Sequence, residues 1–172
     1  MKIVYTRPQL FSELNQICQE ILKSKSRLII AITGLSGSGK STLGKFIRKE
    51  GFGDFKPYQI AVIDDNVMSL NLFLIRPKIR HTPPQSNPVD NLKPFFKFLP
   101  SYIKLIFYIN ANATRINFAD ILITLKIDET QRINQLNQRE SDPKLIKSLI
   151  NSKLNIDISS TYQICFNNSL NN

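Results

Sequence analysis

Apolar residues recur along the chain with two alternating periods. In "TRPQLFSELNQICQEILKSK", residues 6–25, Leu10, Phe11, Leu14, Ile17, Cys18, Ile21 and Leu22 fall at helical spacing. Thr6 and Gln9 form a capping box there, and Pro8 sits in the first turn, where a missing N–H is tolerated. Short continuous apolar runs follow: "LIIAIT" (28–33), "QIAVI" (59–63), "IKLIFYI" (103–109), "ILITLKI" (121–127) and "YQICF" (162–166). Runs of this length, rich in β-branched residues, predict strands buried on both faces. Helical patterns fill several gaps: Ser41–Glu50 closed by Gly51, Glu129–Arg139 opened by Asp128 with Gln131 three residues on, and Pro143–Leu154 capped by Ser141 or Asp142. The alternation predicts an α/β fold, a parallel sheet of about five strands with helices on both faces and ligands at the carboxyl ends of the strands.

The pattern breaks between Arg76 and Pro100, where six of the nine prolines fall, and this segment is expected to be an irregular connection or a substrate-side flap. The tail "FNNSLNN" is expected to fray. At 172 residues the chain fits one domain: residues 1–26 carry an N-terminal helix, 76–100 the Pro-rich connection, and 129–154 a helix pair. Cys18 and Cys165 lie far apart without C-x-x-C or zinc spacing, which predicts buried thiols in a reducing compartment. No secretory leader opens the chain and no apolar run is long enough to span a bilayer, so a cytoplasmic protein without a membrane partner is expected.

Charge changes the picture only slightly. The balance is +10, from 23 Lys+Arg against 13 Asp+Glu. Such an excess suits a ligand with several phosphates and leaves a nucleic-acid partner open as a minor reading. The basic residues are scattered, with a mild concentration from Lys93 to Lys104 and no aromatic-interleaved recognition motif, so solvated surface is the preferred reading.

Candidate chemistry is concentrated in one stretch. Three of the 6 glycines, Gly34, Gly37 and Gly39, lie within "GLSGSGKS", residues 34–41, between a strand and a helix. This satisfies G-x-x-x-x-G-K-[ST] in the structural setting the motif requires. Glycines let backbone N–H groups point into a concave loop around phosphates, and the following helix dipole adds attraction for anions. Gly34, Leu35, Ser36, Gly37, Ser38, Gly39, Lys40, Ser41 and Thr42 are the expected nucleotide-binding residues, with Lys40 on the β- and γ-phosphates and the Ser41 hydroxyl on Mg²⁺.

The loop resembles the phosphate-binding loop of P-loop kinases. "AVIDDNVM" puts two acids after the second strand, similar to the uridine, nicotinamide riboside and adenylylsulfate kinase families. "ADILITLKIDETQRINQLNQRE" looks like the fourth strand and arginine-bearing lid helix of uridine and dephospho-CoA kinases, and "TYQICFNN" is similar to their final strand. The resemblance implies a three-layer P-loop NTPase fold using ATP and Mg²⁺. It implies transfer of the γ-phosphate to a hydroxyl of a small metabolite, nucleoside-like by preference. Dephospho-CoA, adenylylsulfate, a polynucleotide 5′-hydroxyl, and nucleotide binding without turnover are the alternatives.

Phosphoryl transfer asks mainly for positioning and charge neutralisation. Asp64 or Asp65 is expected to orient the acceptor hydroxyl, with Asp64 joining Ser41 at Mg²⁺; a helix N-cap is the competing role for this pair. Arg132 and Arg139, seven residues apart on one face of the lid helix, are expected to clamp phosphate or stack on adenine. The chain departs from the kinase pattern after the third strand, where Asn110 and Asn112 stand in place of an acid. The single histidine, His81, reads as a surface residue.

Overall fold

The structure, a computed structural model, describes residues 1–72, 75–82, 92–109, 116–154 and 158–170. Its elements are β1 (Lys2–Val4), α1 (Arg7–Leu22), β2 (Leu28–Gly34), α2 (Lys40–Glu50), β3 (Ile60–Asp64), β4 (Val67–Ser69), β5 (Lys78–Arg80), α3 (Lys93–Phe96), β6 (Leu105–Ile109), β7 (Phe118–Lys126), α4 (Glu129–Arg139), α5 (Pro143–Ile150) and β8 (Ser159–Asn167). The class is α/β, as the alternation predicts.

The sheet, however, has eight strands and is mixed, in the order β1-β8-β7-β2-β6-β3-β4-β5. The five strands legible in the sequence form its contiguous parallel middle, β8-β7-β2-β6-β3. β1 adds a parallel edge on β8, while β4 and β5 continue antiparallel beyond β3. The three added strands have three residues each, too few for a periodic signal.

Strand alternation sorts the core into two layers. Ile30, Ile32, Val62, Phe107, Ile109, Ile121 and Ile123 face Leu10, Leu14 and Cys18 of α1 and Leu43 and Ile47 of α2. The intervening residues Ala31, Ala61, Ile63, Ile106, Tyr108 and Leu122 face Leu92, Phe95 and Ile103. Helices on both faces are thus only partly realised: among the described residues, the second face is covered by the single turn of α3 and its flanking chain. The Pro-rich segment contains β5 and α3, and residues 83–91 lie outside the described residues. Both cysteines are buried and free.

Local chemistry explains the helix ends. Thr6 Oγ1 accepts from the Gln9 amide while Gln9 Oε1 accepts from the Thr6 amide, which is the expected capping box. Asp128 accepts from the Thr130 and Gln131 amides at 2.9 and 3.2 Å and opens α4. Of the two candidate caps for α5, Asp142 takes the role, and the helix stops at Ile150, four residues short of the expected end. Within the tail expected to fray, Asn168–Leu170 make a 3₁₀ turn, and 171–172 lie outside the described residues.

The register of β2 on β7 sets where the glycine loop begins, since Gly34 pairs with Leu125. At the other end of these strands, buried Asp120 accepts from the Ile29 amide at 2.8 Å and pairs with Lys25. Asp120→Ala strands the Ile29 N–H, and urea unfolding should show a loss of about 1–3 kcal/mol. Lys25→Ala, at a half-exposed partner, should lose under about 1 kcal/mol in the same measurement.

Candidate functional site

The chain leaves β2 at Gly34, turns through residues 35–39 and enters α2 at Lys40. Gly34, Gly37 and Gly39 all have positive φ, +150°, +85° and +89°. A Cβ on Gly34 would stand 2.7 Å from the Leu125 backbone oxygen, so strand pairing and side chain exclude each other at that point.

Gly39 is the N-cap of α2 and has no side chain with which to cap it. The Leu43 amide donates to Gly39 O at 2.9 Å, but the amides of Gly39, Lys40, Ser41 and Thr42 find no partner among the described residues. These are the four donors that any helix start leaves over. They open onto a cavity of about 210 Å³ lined by Ser36, Gly37, Gly39, Lys40, Ser41, Thr42, Gln135 and Arg139. The dipole of α2 points its positive end into the same space.

Lys40 is buried, and its Nζ donates to Gly34 O at 2.7 Å and Leu35 O at 2.9 Å. Burial first, and the charge of Arg139 second, push its pKa down to about 8, against the opposing pull of Asp64 and Asp65. Two neutral carbonyls are weak company for a buried ammonium. An anion in the cavity would add to the pull of Asp64 and Asp65 on this charge.

Ser41 also lines a second cavity, of about 330 Å³, on the other side of its helix. Its wall is the α2 face carrying Ser41, Gly44, Lys45 and Arg48, and opposite stand Val62 and Asp64 of β3, Val67 and Ser69 of β4 and Lys78 of β5. A Cβ on Gly44 would lie 2.8 Å from Ile109 Cδ1, so the glycine lets α2 lie close on the sheet here.

Asp64 ends β3 with its side chain on the same face as Val62, the α2 face. Asp65, with φ +51°, and Asn66 form the two-residue turn between β3 and β4, in which Asp64 pairs with Val67. The helix-cap role for the pair is therefore corrected: no helix follows it, and the acids belong to a hairpin.

The expected loop residues divide. Ser36, Gly37, Gly39, Lys40, Ser41 and Thr42 line the cavity of about 210 Å³, whereas Leu35 and Ser38 line a separate hollow beneath the loop with Leu125 and Arg132. Ser38 Oγ is buried there without a hydrogen-bond partner.

The two arginines divide as well. Arg139 lines the cavity beside Lys40. Arg132 does not: only 2% exposed, it bonds Glu129 through Nε (2.8 Å) and Nη2 (2.6 Å), Ser36 O through Nη1 (3.2 Å), and Leu149 O (3.3 Å) and Ile150 O (2.9 Å) through Nη1 and Nη2. Its expected place in a phosphate clamp is corrected to a strut that ties α4 to the glycine loop and to the last turn of α5. The Glu129 carboxylate raises its pKa further.

His81 packs edge-on against Phe95 at 5.6 Å and lines neither cavity. Asn110 and Asn112 lie outside the described residues. Sequence reasoning passed over Lys45, Arg48, Ser69, Lys78 and Gln135. The first two could be read from helical spacing after Ser41; the next two depend on strands too short to see.

No family model, no curated protein and no solved structure matches the chain. Among the described residues no helix is long and apolar enough to cross a membrane, and no cluster of three or more His, Cys, Asp or Glu could hold a metal by itself.

The Lys40 shift has a definite sign. Its native pKa of about 8 lies below the ordinary 10.5, so between these values the native state holds fewer protons than the unfolded chain and stability rises with pH. The burial penalty is fully present below pH 8 and relieved as pH climbs to 10.5. Cys18, pushed up by burial from 9.0 to about 12, works in the opposite direction at alkaline pH, so the difference from a variant is the useful readout. Lys40→Met should be more stable than the parent at pH 7 by an amount on the order of 2 kcal/mol, and the gap should close by pH 10.5 in chemical denaturation.

Proposed function

We propose that the chain is a P-loop phosphotransferase that moves the γ-phosphate of ATP to a hydroxyl of a small metabolite, in a three-layer P-loop NTPase architecture. The observation that carries the reading is the row of four amides at the start of α2, unpartnered among the described residues, beside a buried Lys40 whose charge burial and Arg139 disfavour. That arrangement is built for a polyphosphate. The sheet order supports it, because the loop-bearing β2 is central and the acid-bearing β3 lies two places away, across β6. A ligand above the carboxyl ends of these strands reaches both.

ATP and Mg²⁺ fit the residues present. Ser36, Gly37 and Gly39 to Thr42 would hold the phosphates, Lys40 would bridge to the γ-phosphate, and Arg139 lines the same cavity. Ser41 and Asp64, which line one cavity, would hold Mg²⁺, whose chemistry is to neutralise charge on the phosphate oxygens. The acceptor hydroxyl oxygen forms the new bond to the γ-phosphorus and gives its proton to Asp64. The bond from the γ-phosphorus to the bridging oxygen breaks, and ADP leaves with that electron pair. Asp64 is favoured over Asp65 for this role because strand alternation aims it at the α2 face, whereas Asp65 is spent on the turn.

Calorimetry with Mg²⁺ and AMP-PNP tests the nucleotide half of the reading. Binding should be measurable in the parent and weakened at least about 10-fold in Lys40→Ala. Absence of binding in the parent would sink the assignment.

ATP consumption over a panel of nucleosides, vitamin ribosides, adenylylsulfate and dephospho-CoA tests the chemistry. With the acceptor so found, Asp64→Asn should lower turnover about 10²-fold or more while nucleotide affinity moves far less. Asp65→Asn should do less, since Asn tolerates a positive φ. Nucleotide binding with no ATP consumption across the panel would favour a binding protein without turnover.

A further inference from the structure

The second cavity is polarised along α2. At its upper end are Ser41, Asp64 and Asp65, next to the glycine loop; Lys45 and Arg48 lie one and two turns further down the helix, Arg48 about 10 Å from Ser41 at 1.5 Å per residue. Lys78 meets them from the opposite wall. It pairs with Ser69, which pairs with Val62, two residues below Asp64, so Lys78 belongs to the lower level too.

None of these three cations makes a side-chain hydrogen bond or ion pair among the described residues. Arg48 is half-buried, and its own carbonyl receives Asn71 Nδ2, which anchors the helix there. Lys45 and Lys78 are exposed and Arg48 half-buried, and Arg48 and Lys78, 30 residues apart in sequence, are brought to one hollow only by the folding of β4 and β5. Three like charges around one hollow repel each other, and an anion between them reverses the sign of that interaction.

We propose that this cavity takes an acceptor bearing its own anionic monoester, a phosphate or sulfate group, about one to two helical turns from the hydroxyl that is phosphorylated. Arg48 and Lys78 grip the anion and Lys45 adds field at its edge. The inference rests on the phosphotransferase reading for the role of the hydroxyl, while the anion site itself stands independently of it. A neutral nucleoside leaves the cationic level unpaired, and selection between a neutral acceptor and its monoester follows from that difference. The cavity's volume of about 330 Å³ is at the small end for a ligand site, which favours a sugar phosphate or a mononucleotide over a polymer.

Amide NMR of the protein with Mg²⁺ and AMP-PNP, titrated in parallel with ribose 5-phosphate and with ribose, tests the proposal. Ribose 5-phosphate should shift amides around Lys45, Arg48, Ser69 and Lys78, ribose at equal concentration should not, and sulfate should compete for the same shifts. The double variant Arg48→Gln/Lys78→Gln should weaken ribose 5-phosphate at least about 10-fold while the shifts produced by AMP-PNP at residues 36–42 persist. Equal response to ribose, response confined to residues 36–42, or unchanged affinity in the double variant overturns the anionic acceptor. If AMP-PNP does not bind, the phosphotransferase reading falls, and the same titration of the nucleotide-free protein still decides the anion site. A ribose 5-phosphate response around Arg48 and Lys78 supports the site, and no response there overturns it.

Discussion

Four backbone N–H groups at the start of α2 have no acceptor among the described residues, and the architecture around them keeps it so. Gly39 offers no capping oxygen, Gly34 docks against the Leu125 carbonyl, and within the loop between them the Ser38 amide turns back to Leu35 O at 3.1 Å. A serine or aspartate at the N-cap would satisfy one donor and steady the helix by about 1 kcal/mol. Glycine forgoes that gain. The anchoring instead comes from outside the turn: β2 is held on both sides by β6 and β7, and α2 is seated in the core by Leu43 and Ile47.

The same constraint explains the electrostatics. Lys40 is carried into a place where desolvation and Arg139 both disfavour its charge, answered by two carbonyl hydrogen bonds and the more distant charges of Asp64 and Asp65. Arg132 represents the opposite solution: an arginine equally buried but fully bonded, by Glu129 and three backbone carbonyls, one of them Ser36 in the loop itself. One arginine on α4 braces the glycine loop and the other lines the cavity beside it. Through Arg132 the α4–α5 pair is mechanically tied to the loop, and a Cβ on Gly37 would already press on Arg132 Cγ at 3.1 Å.

On the other side of α2, a second cavity exists because the sheet does not stop at β3. The tight turn at Asp65–Asn66 folds β4 back, β5 follows, and their outward residues become a wall facing Arg48. Strand parity divides this wall cleanly: Val62, Asp64, Val67, Ser69 and Lys78 turn toward α2, while Ile63 and Met68 enter the opposite core layer. A shift of one residue in either hairpin register would exchange those sets and remove the cavity.

The parallel middle of the sheet, its four longer helices, the caps at Thr6 and Asp128 and the glycine-rich loop between β2 and α2 were all legible in residue order, because each is written in local periodicity or in a contiguous motif. Which acid faces α2, which arginine lines the cavity beside Lys40, and the existence of β1, β4 and β5 were not. Arg132 and Arg139 share a helix face in any linear reading, and only the packing of α5 decides that one is swallowed and the other left at the cavity. Three-residue strands carry no period of their own; they form because a neighbouring strand offers its edge. Lys78 joins Arg48 for that reason alone, and the charge of the second cavity is therefore a property of tertiary structure, created when β5 brings a lysine to a helix with which it has no sequence relation.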